Sequence, residues 1–275
     1  MQHQPHNLRG NQPKYVVCSQ TNQRQNNEDS FQIFSLTPVI GKTPVTILTI
    51  ADGMGGHAYG EHVSEQALHK LSLSLFEQLI VKSSLNCNVI NETSVSSESL
   101  AQILWQAIEQ ANAHVRRMIE VNKWGKAGST ILVTAILDHQ AIALNLGDSP
   151  LFHYQQETGN LTKVTQEHTV ANTLVNARMI TEEMARYHEG RNRLEFYIGC
   201  SELPTKLPLY QISLQPGDLL LLCTDGVSSL LLLEEIKQIL ANTNQVLEEI
   251  AQNLLQAAQA AGETDNQTLI LWQVD

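Results

Sequence analysis

The spacing of apolar and polar positions divides the chain into short strands, two long helices, a second run of strands, and a helical C-terminal part closed by one strand. Tyr15 to Cys18 and Phe31 to Phe34 read as strands separated by the polar loop Ser19 to Ser30, and Thr37 to Pro44, with two prolines and a glycine, as a hairpin-like connection. It leads into a central strand, Val45 to Ile50, rich in β-branched residues and too short for a free-standing helix. After a glycine cluster, Val63, Ala67, Leu71, Leu75 and Leu79 recur every fourth residue, the apolar stripe of an amphipathic helix from about Gly60 to Ile80. Lys82 to Ser99 is Ser/Asn-rich without periodicity, a long surface loop. Leu100, Ile103, Leu104, Ala107, Ile108, Ala111, Val115 and Met118 then mark a second helix, with Ser99 as its cap.

From Gly128 the pattern returns to strands: Ser129 to Leu137, Ala141 to Leu146, Leu151 to Tyr154, Leu161 to Val164, Leu209 to Leu214 and Leu219 to Thr224. Pro216-Gly217-Asp218 between the last two reads as a plain turn, with no role assigned to Asp218. Glu234 to Leu240 and Val246 to Ala260 are helices, and Thr268 to Val274 is a final strand. This order does not alternate as βαβ units would, so it predicts an α+β fold with antiparallel sheets layered against helices. Residues 15–275 form one domain after a polar, flexible tail over residues 1–14. Gln166 to Arg191 has little strand signal and reads as a mobile flap or small subdomain.

Composition narrows the function classes. A net charge of −11 without clustered Lys and Arg argues against nucleic-acid binding. No apolar run approaches the roughly 18–20 residues that span a bilayer, and the polar start is unlike a signal sequence. Cys18, Cys87, Cys200 and Cys223 are dispersed without a C-x-x-C pair, which suits a reduced, cytoplasmic protein.

The candidate chemistry lies where apolar runs end in acids. Val45 to Ile50 runs into Asp52 and the glycines Gly53, Gly55 and Gly56, which let the chain turn sharply and approach a ligand. Asp-Gly alone is an ordinary turn. The arrangement recurs, however, at Asp225-Gly226 after Leu219 to Thr224 and at Gly147-Asp148 after Leu144 to Leu146. Asp265-Asn266 stands directly before the last strand, and Asn26 to Ser30 (NNEDS) directly before Phe31. Acids at strand ends along one sheet edge converge in space, and several convergent carboxylates need cations to neutralise them. A metal centre with oxygen ligands is predicted.

Taken together, Arg24 to Asp29 (RQNNED), Asp52 to His57 (DGMGGH), Gly128 to Thr130 (GST), Gly147 to Ser149 (GDS), Thr224 to Gly226 (TDG) and Asp265-Asn266 (DN) resemble the metal-dependent protein phosphatases of the 2C type, in their bacterial single-domain form. The resemblance spans roughly Tyr15 to Val274. It implies a central sandwich of two antiparallel β-sheets flanked by helix pairs, with the metal centre in a cleft at one end. It also implies hydrolysis of phosphoserine and phosphothreonine in proteins, in a signalling role, with Mn²⁺ or Mg²⁺ as cofactor. Asp52 would bridge two metals, with Asp225 and Asp265 completing one site and Glu28 and the Gly53 carbonyl serving the other. Asp29 would be a neighbouring ligand or an acceptor behind the ligands, and Asp148 with Asp225 would hold a third metal. The partner implied is a phosphorylated protein substrate, with no nucleic acid and no membrane, and the chain is expected to act as a monomer.

Two adjacent metals lower the pKa of a shared water so that hydroxide is available near neutral pH for in-line attack. Arg24 can hold two phosphoryl oxygens in a bidentate fork. The leaving alkoxide needs a proton, which His57, with an ordinary pKa of roughly 6.5, is suited to supply. The chain departs from the family in Pro150 after Gly147-Asp148-Ser149, where an arginine is usual and an ion pair is lost. It also departs in Thr165 to Thr169 (TQEHT), in Val227-Ser228-Ser229 and in the residues after Arg191-Asn192. None of these is an expected ligand.

Two other readings compete with it. Cys18 to Arg24 (CSQTNQR) has the Cys-x₅-Arg spacing of a cysteine-dependent phosphatase, but its loop contains no glycine and a polar run follows it, where an amide cradle and a helix are needed. A catalytically silent phosphoprotein-binding or scaffold module of the same fold would have no need of the full acid set. Of the other histidines, His62, His69, His168 and His188 read as surface or packing residues, as no ligand-spaced pair occurs.

Overall fold

The computed structural model describes residues 14–38, 43–55, 59–82, 96–242 and 245–275. Its strands form two fully antiparallel sheets. The first contains β1 (Lys14–Gln20), β7 (Leu151–Gln155), β8 (Asn160–Lys163), β10 (Leu219–Cys223) and β11 (Gln267–Gln273), in the order β1-β11-β10-β7-β8. The second contains β2 (Asp29–Leu36), β3 (Val45–Met54), β5 (Ile131–Leu137), β6 (Gln140–Leu146) and β9 (Tyr210–Ser213), in that order, with the short β4 (Gly128–Ser129) paired to the end of β3.

Three apolar clusters show how the layers stack. Leu48, Ile50 and Leu132 of the second sheet pack with Leu220, Leu222, Ile270 and Trp272 of the first, so the sheets meet face to face. The outer face of the second sheet, including Ile47 and Val133, is covered by α1 (Gly60–Phe76) and α2 (Ser97–Asn122). That of the first, including Leu221 and Leu271, is covered by α6 (Leu233–Leu240) and α7 (Leu247–Ala260). Central strands are thus buried on both sides, which is why Leu219 to Cys223 is unbroken apolar sequence rather than an alternation. Alternate residues still divide by face: Leu219, Leu221 and Cys223 meet helices while Leu220 and Leu222 meet the other sheet. The sandwich with flanking helix pairs is the expected fold class.

Several local expectations change. The second long helix is capped by Ser96 rather than Ser99: the Ser96 hydroxyl accepts from the Ser99 amide at 3.2 Å. The first helix ends at Phe76 and widens into a π-helical turn, Glu77–Lys82. The segment 166–191 carries two short helices, α3 (Val170–Asn176) and α4 (Glu182–Tyr187), capped by Thr169 and Thr181. Asp218 is not a bystander. It is buried and accepts from the Gln156 and Gln215 amides at 3.0 Å each, and its carboxylate lies 2.8 Å from His153 Nε2, which ties the β9–β10 turn to β7. The polar tail over residues 1–13, residues 39–42 of the connection before β3, His57 with Gly56, and residues 83–95 of the expected surface loop lie outside the described residues.

Candidate metal centre

The site follows from strand parity. On β3, Leu48 and Ile50 face the opposite sheet, and two residues further on the same face carries Asp52. On β2, Ile33 packs into that inter-sheet core, and four residues earlier the same face carries Asp29, the direct register partner of Asp52. The core stripe therefore turns acidic where the sandwich opens at its end. The strand does not stop at Ile50 as the sequence suggests: β3 continues through Gly53 to Met54, paired with Ser129 and Gly128. Asp52 is held in that extension, its amide donating to Thr130 Oγ1 at 2.9 Å and its carbonyl accepting from the Thr130 amide at 2.8 Å and the Ser129 hydroxyl at 3.0 Å.

The two Asp-Gly pairs are likewise not turns. A Cβ on Gly53 would lie 2.2 Å from the Gly60 carbonyl oxygen and 2.6 Å from that of Glu28, so glycine here admits the start of α1 and the loop before β2. Asp225-Gly226 opens the single-turn helix α5 (Asp225–Ser228), and a Cβ on Gly226 would lie 1.9 Å from the Asn266 carbonyl oxygen. Close backbone approach is the common requirement.

Arg24, Glu28, Asp52, Gly53, Asp148, Asp225 and Asp265 together line one cleft of about 660 Å³, with Thr130, Asn192, Leu194 and Asn266 among the remaining walls. Asp29 lies beneath the wall, with its Oδ2 accepting from the Thr224 hydroxyl at 3.0 Å. Glu28 sits against the start of α1, its carboxylate accepting from the Gly60 amide, where the helix end favours negative charge. Arg24 donates from Nη2 to Asp265 Oδ2 at 2.7 Å. Gly55 also lines the cleft, while His57 lies outside the described residues.

Burial and mutual repulsion push Asp29, Asp52, Asp148 and Asp225 up. Desolvation, then the neighbouring charges of Asp225 and Asp265, raise Asp29 to about 7 against two opposing hydroxyl hydrogen bonds. Asp225 rises to about 6 through desolvation, with the Asp265 charge adding to it. Asp52 and Asp148 are raised well above the ordinary range, again by burial first and neighbouring carboxylates next. Asp52 and Asp225 are hydrogen-bonded to each other, the arrangement of two carboxyls sharing a proton. Asp148 gains only a minor offset from Lys163, which itself pairs with Glu167.

The residues suit hard divalent cations on three observations. The converging donors are all oxygens. Four buried carboxyls lack the positive charge that their ionised forms require. Asp29 Oδ1 is buried without a hydrogen-bond partner. The acids converge without closing a ligand shell by themselves: among the described residues no three His, Cys, Asp or Glu side chains stand together as a ready-made set.

Some contributors are missed by reading motifs alone. Thr130 braces Asp52 and shares a hydrogen bond with Ser149 beside Asp148, at 2.8 Å, while Thr224 and Thr268 both bond Asp29. His168 accepts from the Gly147 amide at 3.2 Å through Nδ1, and burial holds its pKa below the ordinary value, so as a neutral ring it ties the segment 166–191 to the turn that carries Asp148. Cys18 is a strand residue whose thiol is pushed up by burial, the opposite of an activated nucleophile. Among the described residues no helix is long and apolar enough to cross a membrane.

Residues 19–266 match the sequence profile of the family described as protein phosphatase 2C. The serine/threonine phosphatase stp of Listeria monocytogenes is 28% identical over 253 residues, covering 92% of this chain and 92% of its own length. Among solved structures, the serine/threonine phosphatase of S. agalactiae superposes with a TM-score of 0.79 at 26% identity, covering 96% of this chain and 100% of that one. The catalytic domain of the serine threonine protein phosphatase PstP, in complex with 2 manganese ions, superposes with a TM-score of 0.72 at 26% identity, covering 96% and 99%.

Proposed function

The chain belongs to the protein phosphatase 2C family, and from that premise we propose that it is a metal-dependent protein-serine/threonine phosphatase acting on phosphoproteins in a signalling role. One observation carries the reading: the inter-sheet stripe of this chain ends in carboxylates that converge on a single cleft and lack the positive charge to be ionised together.

Asp52, Asp225 and Asp265 are assigned to one divalent cation, and Asp52, Glu28 and the Gly53 carbonyl to a second. Mn²⁺ is the ion held by the PstP domain, and Mg²⁺ has the same preference for oxygen. Asp148 with Asp225 is assigned to a third. Asp29, beneath the wall, is assigned to orienting the ligands rather than to the cleft itself. When bound, such cations supply Lewis acidity and a water activated near neutral pH.

The protein's own groups do the rest. Arg24 projects from the loop before β2 into the cleft, and its planar fork can hold two phosphoryl oxygens as charge spreads over them. In the structure that fork is engaged by Asp265, in a half-exposed pair worth about 0–1 kcal/mol, a cost that phosphate binding readily offsets. A serine or threonine alkoxide leaves only with a proton, and His57 is assigned to deliver it. Asn192 and Leu194 bring the segment after α4 to the rim, where the flap meets the protein substrate. A monomeric, cytoplasmic enzyme belongs to the same reading.

Calorimetric titration of metal-stripped protein with Mn²⁺ tests the assignment. At least two ions per chain are expected for the wild type, and one fewer for Asp265→Asn. Full retention of binding in Asp52→Asn would contradict it.

A further inference from the structure

We propose that Asn266 is a positioning residue that holds the phosphate-binding loop in register with the metal-binding strand end. The inference rests on the phosphatase reading above and adds a role for a residue outside the ligand set.

Asn266 is buried immediately after Asp265, at the entry to β11. Its side-chain amide serves the loop that carries Arg24 and Glu28. Oδ1 accepts from the Glu28 amide at 2.9 Å, and Nδ2 donates to the Thr21 carbonyl at 3.0 Å and to the Asn26 carbonyl at 2.8 Å. One backbone N–H and two carbonyls face the group, so its orientation is fixed: the oxygen must meet the amide and the nitrogen must meet the carbonyls. Both donor hydrogens are used. Aspartate has none to give, and glutamine places the amide one methylene further out.

The backbone of the same residue faces the opposite way. Its N–H donates to Asp265 Oδ1 at 2.8 Å, which orients that carboxylate, and its carbonyl packs on Gly226 next to Asp225. One residue thus ties the Arg24–Glu28 loop, Asp265 and the start of α5 together. The 2.7 Å reach of Arg24 to Asp265 depends on that loop staying in place. Displacement of the phosphate-holding group by about 1 Å is enough to lower kcat/KM heavily.

Asn266→Ala keeps the backbone contacts to Asp265 and Gly226 and removes only the side-chain amide that holds the loop, and saturating Mn²⁺ fills the site that Glu28 serves, so the consequence falls on phosphate binding through Arg24. With saturating Mn²⁺ and p-nitrophenyl phosphate, Asn266→Ala is expected to raise KM about tenfold while kcat stays within about threefold. In an Arg24→Ala background the same substitution is expected to change KM less than about twofold, because the group it positions is gone. Equal effects in both backgrounds, or a lower melting temperature with unchanged KM, would overturn the proposal. Hydrogen exchange on the wild type gives a reading that needs no variant: the Glu28 amide should be protected, and exchange as fast as that of a free loop amide would also overturn it. Absence of Mn²⁺-dependent turnover in the wild type would remove the parent reading along with this one, whereas turnover with additive variants removes this one alone.

Discussion

Asp29 and Asp52 are direct partners across the β2–β3 ladder, two acids set opposite each other on the face that elsewhere forms the inter-sheet core. Like charges in opposed positions destabilise a sheet, and burial multiplies the effect. Such a pair makes sense only where something else supplies positive charge. Asp29 Oδ1, buried without a hydrogen-bond partner, points to the same deficit.

Asp29 and Asp225 are raised to about 7 and about 6, whereas the unfolded chain releases these protons near pH 4. Between those limits the folded state binds more protons than the unfolded one, so stability falls as pH rises through the window. In EDTA, the melting temperature should decline from pH 4.5 to pH 7.5; with Mn²⁺ present the decline should largely vanish, because bound cations stabilise the ionised acids. Thermal melts across that range check both halves.

Asp52→Asn should separate stability from binding. An amide keeps a hydrogen bond to Asp225 without charge, so the metal-free variant should exceed the wild type by at least about 1 kcal/mol at pH 7.5, or about 2–4 °C in melting temperature. Added Mn²⁺ should stabilise the variant far less than the wild type. Scanning calorimetry with and without the ion measures the difference.

Arg24→Lys keeps the charge and loses the fork. A fall in kcat/KM of about tenfold or more is expected, carried mainly by weaker phosphate binding, with little change in melting temperature because the residue is exposed. Steady-state kinetics and competition by inorganic phosphate test this directly.

Gly226→Ala introduces a methyl at 1.9 Å from the Asn266 carbonyl oxygen, against backbone that has no rotamer to escape into. A loss of about 2 kcal/mol or more is expected, together with loss of turnover, since Asp225 and Asp265 flank the clash. Urea denaturation gives the first quantity. Gly262→Ala, at a site open to solvent but with φ +99°, should cost less and spare activity.

Much of this architecture was legible in the sequence because the signals were local. The four-residue stripe of α1, the β-branched run of β3 and the acids after apolar runs each rest on spacing alone. Where local signals mislead, tertiary contact decides. Gly53 and Gly226 look like turn residues, yet one lies in a strand and the other in a helix, because the need for glycine comes from backbone packed against them from distant segments. Asp218 looks like any turn acid until β7 brings His153 to it. The roles of Thr130, Thr224 and Asn266 depend on partners 19 to 245 residues away, which no spacing rule encodes.

The most direct test of the central claim is hydrolysis of a phosphothreonine peptide by the purified wild type and by Asp225→Asn, each with Mn²⁺ and with EDTA. Release of phosphate that requires Mn²⁺ and falls at least about 10³-fold in the variant is the predicted result, as expected when a ligand of the activating metal is lost. Release that persists in EDTA, or that survives in Asp225→Asn, would contradict the account.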